Sequence, residues 1–154
     1  MGDNRTHILD SIRELQRLAD LFALRREQLA RSAGLSVQQW RVLEEISDQH
    51  FMPSMFARQQ ESSAAAVSKI IRQLLDKGFI DVAVDEADLR VRRYSLTPEG
   101  TAVMGRLREQ REDAIQAIWG GMSVDRLTEF RQFASELGDR MESYSRDVRE
   151  LTTV

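Results

Sequence analysis

Residues Asp85–Gly100, DEADLRVRRYSLTPEG, place an acid-rich turn, three arginines and a helix-start signal within one short stretch. Before the turn, IDVAV alternates Ile80, Val82 and Val84 with other residues; after it, VRRYSLT alternates through Tyr94 and Leu96. Two alternating runs joined by the polar DEADLR predict a two-stranded antiparallel hairpin. Thr97 is a good N-cap and Pro98 suits a first helical position, so the spacing predicts that helix resumes at once.

Upstream of the hairpin lies ESSAAAVSKIIRQLLDKGFI. Ser62 or Ser63 can accept hydrogen bonds from the first free N–H groups of a helix, and Gly78 marks its C-terminal cap. Val67, Ile70, Ile71, Leu74 and Leu75 follow the spacing of a core-facing side. The other side carries Ala64, Ala65, Ser68, Lys69, Arg72 and Gln73, small at its start and cationic or amide-bearing further along. A solvated face would look similar in isolation, but its neighbours matter. SVQQWRVLEEIS predicts a helix capped by Ser36 with Val37, Trp40, Leu43 and Ile46 inward, and Pro53 opens another in PSMFARQQ. Two short helices followed, after a tight turn, by this one form a helix-turn-helix. Small residues at the start of its second helix let the backbone approach DNA, while Ser, Lys and Arg reach base edges or phosphates. A hairpin directly after such a unit is a wing. Arg90 at its tip suits the negative potential of a narrow minor groove, and the carboxylate of Asp88 two residues away is placed to orient the guanidinium. Arg92 lies within the same reach. The bland alternative is an exposed ion pair on a loop, worth little.

The ends of the chain are helical stripes. Ile8, Ile12, Leu15, Ala19 and Phe22 fall at alternating spacings of four and three within about Thr6–Arg31, widened by Leu18, Leu21 and Leu29. The helix after Pro98 is expected to run to Trp119, where Gly120 and Gly121 end it. Ser123 then caps a last helix in which Leu127, Phe130, Ala134, Leu137, Met141, Tyr144 and Val148 keep three-four spacing. Stripes without another partner in so short a chain call for a second copy, with an intramolecular antiparallel pair as the alternative. The expected organisation is an N-terminal dimerisation helix (1–35), a winged helix-turn-helix lobe (36–97) and C-terminal dimerisation helices (98–154). The fold class is mainly α with a small β-hairpin wing.

Composition narrows the function. The chain has 154 residues and no cysteine, which excludes disulfides, thiolate metal sites and thiol-based peroxide sensing. The N-terminus lacks a signal-peptide apolar region and no run approaches the roughly 20 apolar residues that span a bilayer, so a cytoplasmic protein without membrane association is expected. Net charge is −3. From Pro53 to Thr97 there are seven cations and six acids, so the middle is +1 and the flanks −4, a polarity whose sign favours a polyanionic partner for the middle. His7 and His50 stand far apart, and no glycine-rich phosphate loop or nucleophile elbow occurs. Neither an enzyme, a metal site nor a cofactor is expected.

DLRVRRYSLTPEG resembles the wing signature of the MarR family of bacterial winged-helix regulators: Asp88, Arg90, Leu96, Thr97 and Gly100 occupy its positions, and Asp85 matches a further frequent acid. GLSVQQWRVL and AAVSKIIRQLLDKGFI are similar to the segments around the family's second and recognition helices, and the helix order agrees over essentially the whole chain. Ala66, where the family often has a hydroxyl residue, and Phe56–Ala57, in place of a Leu-Ala pair, depart from the pattern. The resemblance implies a homodimer that binds a pseudo-palindromic double-stranded DNA operator as a repressor or activator, repression being the expected sense. It further implies a pocket for a small aromatic or anionic effector, which by position draws on Trp40, His50, Phe51 and Met55 with Arg13 or Arg25 as anion partners. The stripes at Ile8, Ile12, Leu15, Leu127, Phe130, Leu137, Met141 and Tyr144 become the dimerisation surface. The alternative function is a winged-helix module that binds a protein partner without sequence-specific DNA binding.

Overall fold

The computed structural model describes residues 2–49 and 51–152, with side chains over 4–49 and 51–148. Among the described residues, six helices and one hairpin follow in order: α1 (Gly2–Ser32), α2 (Val37–Ser47), α3 (Pro53–Gln59), α4 (Ala64–Asp76), β1 (Ile80–Val84), β2 (Arg92–Leu96), α5 (Pro98–Trp119) and α6 (Val124–Thr152). The mainly helical class with a small wing is therefore the observed one. Contacts divide the chain into two compact units, one through Glu112 and one from Asp113 onward.

In the first unit α2, α4 and α5 begin where a side chain accepts from a free N–H group of the helix end, whereas α3 opens on Pro53 with no side-chain cap. Ser36 and Gln39 form a reciprocal capping box at the start of α2, with bonds of 3.1 and 3.0 Å. Ser63, rather than Ser62, caps α4 by accepting from the Ala66 N–H at 3.1 Å. Gly78 ends α4 at φ +70°, a conformation glycine adopts without a Cβ penalty. The hairpin register pairs Ile80 with Leu96, Val82 with Tyr94 and Val84 with Arg92.

One apolar core holds these pieces together. Trp40, Val42, Leu43 and Ile46 of α2 meet Val67, Ile71 and Leu74 of α4, Ile80 of β1 and Phe56 of α3. Leu29, Ala30 and Leu35 enter from the N-terminal side, and Val103, Met104 and Leu107 from α5, so the core reaches beyond residues 36–97. Thr97 closes the junction between wing and α5. Its hydroxyl donates to the Gly78 carbonyl at 2.6 Å and accepts from the Gly100 N–H at 3.0 Å, while its own N–H bonds the Phe79 carbonyl at 3.1 Å.

The terminal helices leave their stripes uncovered within a single chain. On α1, Ile8, Ile12, Leu15, Leu18 and Phe22 are exposed. In the second unit Trp119 lies against Phe130, with ring centroids 6.3 Å apart, while Phe130, Phe133, Met141 and Tyr144 of α6 face out.

Candidate nucleic-acid interface

α3 and α4 are joined by a turn held by three successive backbone hydrogen bonds. The N–H groups of Gln60, Glu61 and Ser62 bond the carbonyls of Phe56, Arg58 and Ala57 at 3.0, 3.2 and 2.8 Å, and Glu61 takes φ +49° to reverse the chain. Arg41 of α2 donates to the Gln60 side chain at 2.5 Å and fixes the turn from the core side. The direction of α4 is thereby set before any ligand arrives.

The two faces of α4 separate as its spacing requires. Val67, Ile71 and Leu74 are buried; Ala64, Ala65, Ser68, Lys69 and Arg72 are exposed. Among the described residues no hydrogen bond or ion pair engages Lys69 or Arg72, so both cations are available to an anionic partner. Gln73 behaves differently from its pattern. Its side-chain oxygen accepts from Gln39 Nε2 at 3.0 Å, and Lys77 donates to Gln39 at 3.1 Å and to the Gly34 carbonyl. Helical spacing alone places Gln73 outward, but a buried amide in α2 demands a partner and draws it in.

The wing is organised by an acid other than the expected one. Asp85 is buried, and one carboxylate oxygen accepts from the N–H groups of Ala87 and Asp88 at 2.7 and 3.1 Å while the other pairs with Arg93 Nε. The Arg93 guanidinium, seconded by those two N–H donors, holds the Asp85 carboxyl below its ordinary 3.8. The unfolded chain therefore titrates at higher pH than the folded one. The stabilisation is present above the ordinary value and is lost as pH falls through the depressed one, so the wing stays clasped at neutral pH. Asp88, predicted to orient the Arg90 guanidinium, accepts instead from the Arg90 backbone N–H at 3.0 Å. This is the local bond that an Asp side chain makes to the backbone two residues on, and it holds the turn rather than the guanidinium. Among the described residues the Arg90 and Arg92 guanidinium groups make no ion pair, and both are exposed. Replacing Asp85 with alanine is expected to loosen the wing tip without unfolding the core. Faster hydrogen exchange at the Ala87 and Asp88 amides, with the Leu43 and Leu74 amides unchanged, is the measurement that checks it.

The residues expected around an effector do not share one cavity. Trp40 is buried, with the Arg26 guanidinium 4.9 Å from its ring centroid and paired to Glu44 at 2.9 Å. It borders a hollow of about 340 Å³ with Met104, Leu107, Arg108 and Arg111. Phe51 packs edge-on against Phe56 and Tyr94, at 5.7 and 5.5 Å, and borders a separate open hollow of about 1200 Å³ under the wing. Met55 is exposed, Arg25 is exposed, and Arg13 pairs with Asp10 on the outer surface of α1 at 2.9 Å. His50 lies outside the described residues. Arg26 was not anticipated: a single arginine in one helix carries no sequence signal for a cation–π contact with a tryptophan in the next.

Comparison with known proteins matches this geometry. A sequence profile described as MarR family matches residues 33–90. The crystal structure of a MarR family transcription regulator superposes with TM-score 0.81 at 18% identity, covering 95% of this chain and 97% of that one. FabT of Streptococcus pneumoniae, crystallised in complex with DNA, gives TM-score 0.70 at 19% identity, covering 86% of this chain and 98% of its own. A mutant of S. aureus MepR bound to an oligodeoxyribonucleotide gives 0.61 at 17% identity, covering 86% and 96%. No curated protein sequence matches the chain. At these identities the structural likeness establishes the fold, and DNA complexes occur among the proteins that share it.

Proposed function

We propose that this chain, whose residues 33–90 match a MarR family profile and whose fold is shared by MarR-family regulators, is a member of that family and works as a homodimeric, sequence-specific DNA-binding transcriptional regulator. The observation that carries this reading is the pair of unengaged cationic features on one lobe: Lys69 and Arg72 on the outer face of α4, and Arg90 and Arg92 on a wing clasped by Asp85. The small Ala64 and Ala65 let the start of α4 lie close to the major-groove floor, Ser62, Ser63 and Ser68 offer hydroxyls to phosphates or base edges, and Arg90 enters the neighbouring minor groove. Asp88 acts through the turn, setting the direction in which Arg90 leaves it.

The uncovered stripes of α1 and of α6 support a two-fold dimer, with residues 1–35 and 98–154 supplying its contacts. Two recognition helices about 34 Å apart would then meet the half-sites of a pseudo-palindrome. The simplest consequence of occupying such a site is repression, and the setting is the cytoplasm; no helix among the described residues is long and apolar enough to cross a membrane. A small aromatic or anionic effector would act by population shift, binding a dimer with wrongly spaced α4 helices better than the DNA-competent one. A preference of about 1.4 kcal/mol lowers DNA affinity tenfold.

The test is fluorescence anisotropy on a duplex recovered from a random library by selection on the purified protein. Arg90→Ala is expected to weaken binding more than about tenfold, with the slope of log affinity against log salt reduced by about one, and to leave the dimer intact. An unchanged dissociation constant removes the minor-groove role. Failure to select any duplex favours a protein partner for the same face.

A further inference from the structure

The tip of the wing holds an apolar side chain that charge recognition does not use. Leu89 is 79% exposed, the most exposed of the large apolar residues described, and Val91 beside it is 45% exposed. Arg90 is thus flanked on both sides by apolar groups in water. The loop that presents them is not loose. The Ala87 and Asp88 amides are held by Asp85, the Arg90 amide by the Asp88 carboxylate, the Val91 amide by the Asp88 carbonyl at 2.9 Å, and the Asp85 amide by the Val91 carbonyl at 3.0 Å. A leucine displayed on a turn pinned by five hydrogen bonds loses little backbone freedom when it docks.

Placement narrows what it docks against. β1 starts two residues after Gly78, the glycine that follows the C-cap of α4, and five-residue strands carry the tip about 16 Å outward from that point. Leu89 is adjacent to Arg90 on the same pinned turn, so an arginine that enters a minor groove brings the leucine to the edge of that groove. The walls of that groove are deoxyribose C–H groups, and apolar side chains including leucine are used against them and between base steps.

We infer that Leu89 is a specificity-determining DNA contact, packing against the deoxyribose walls of the minor groove beside Arg90. This rests on the proposed DNA-binding function and deepens it. The contact removes apolar surface from water without releasing counterions, so it adds affinity that salt does not screen. It also favours a narrow groove, where both walls come within reach, and so a particular flanking sequence rather than phosphate in general.

The test uses the selected duplex in anisotropy titrations over a salt series with Leu89→Ser, Leu89→Met and Arg90→Ala. Leu89→Ser is expected to bind about tenfold more weakly at every salt concentration with an unchanged salt slope, and Leu89→Met to stay within about twofold of the parent. Parent-like binding by Leu89→Ser overturns the inference. So does a loss accompanied by the reduced slope of Arg90→Ala, which would mean that the turn had collapsed, or a methionine variant as weak as serine. If Arg90→Ala weakens binding while Leu89→Ser does not, this inference alone fails; if the parent protein selects no duplex, the DNA-binding function fails and takes the inference with it.

Discussion

Alanine at Gly100 is expected to lower the stability of the protein by about 3 kcal/mol, an overpacking cost at the upper end of the usual range. The reason is a close approach of two backbones. Thr97 ties the start of α5 to the Gly78 and Phe79 carbonyls. This brings Gly100 so near that a methyl built on it would overlap the Phe79 carbonyl oxygen and lie 2.9 Å from its carbon. Neither side can yield cheaply. Phe79 follows the cap of α4 and precedes β1, and Gly100 sits in the first turn of α5, with its N–H held by Thr97 at 3.0 Å. The helix-propensity gain of alanine over glycine, about 1 kcal/mol, offsets only part of the clash. For a chain of 154 residues a net loss of 3 kcal/mol corresponds to a fall in Tm of about 6–12 °C, which differential scanning calorimetry would read directly. A variant melting within a degree or two of the parent would show that the junction can open without cost.

Glutamate at Leu137 is expected to dissociate the proposed dimer. In α6 the residues Leu127, Phe130, Leu137, Met141 and Tyr144 keep the three-four spacing of a packing seam, yet within one chain Met141 and Tyr144 remain 63% and 71% exposed. Leu137, near the middle of that seam, is half-buried. In the proposed two-fold dimer the substitution would enter the interface twice, and an unpaired carboxylate in an apolar seam costs about 3–5 kcal/mol. Even one such cost shifts the dissociation constant by at least about a hundredfold. Size-exclusion chromatography with light scattering should show a monomer at concentrations where the parent is dimeric, and operator binding should fall with it. A stable Leu137→Glu dimer would remove α6 from the interface.

The order of elements was legible from local rules. Ser36, Ser63, Thr97 and Ser123 announce helix starts, Gly78 announces an end, and the alternation of Ile80, Val82, Tyr94 and Leu96 announces the hairpin, because caps, turns and periodicity act over four or five residues. The exposed set on α4 was legible for the same reason, save for Gln73, whose partner Gln39 lies in a different helix. Partner choice across the fold was not legible. Asp85 and Asp88 both stand within reach of the wing arginines in sequence. Only the burial of Asp85 at the end of β1, where an ionised carboxylate requires several donors, assigns it Arg93 and two amides, and leaves Asp88 to bond the Arg90 amide. Likewise the motif marks Gly100 by position, whereas the reason that no side chain fits there is the Phe79 carbonyl from across the junction. The division of Trp40 and Phe51 between two hollows has the same origin. Sequence determines where each element begins and which way it faces, since those are nearest-neighbour energies. The tertiary structure decides which donors meet which acceptors, since that depends on residues far apart in the chain sharing the same small buried volume.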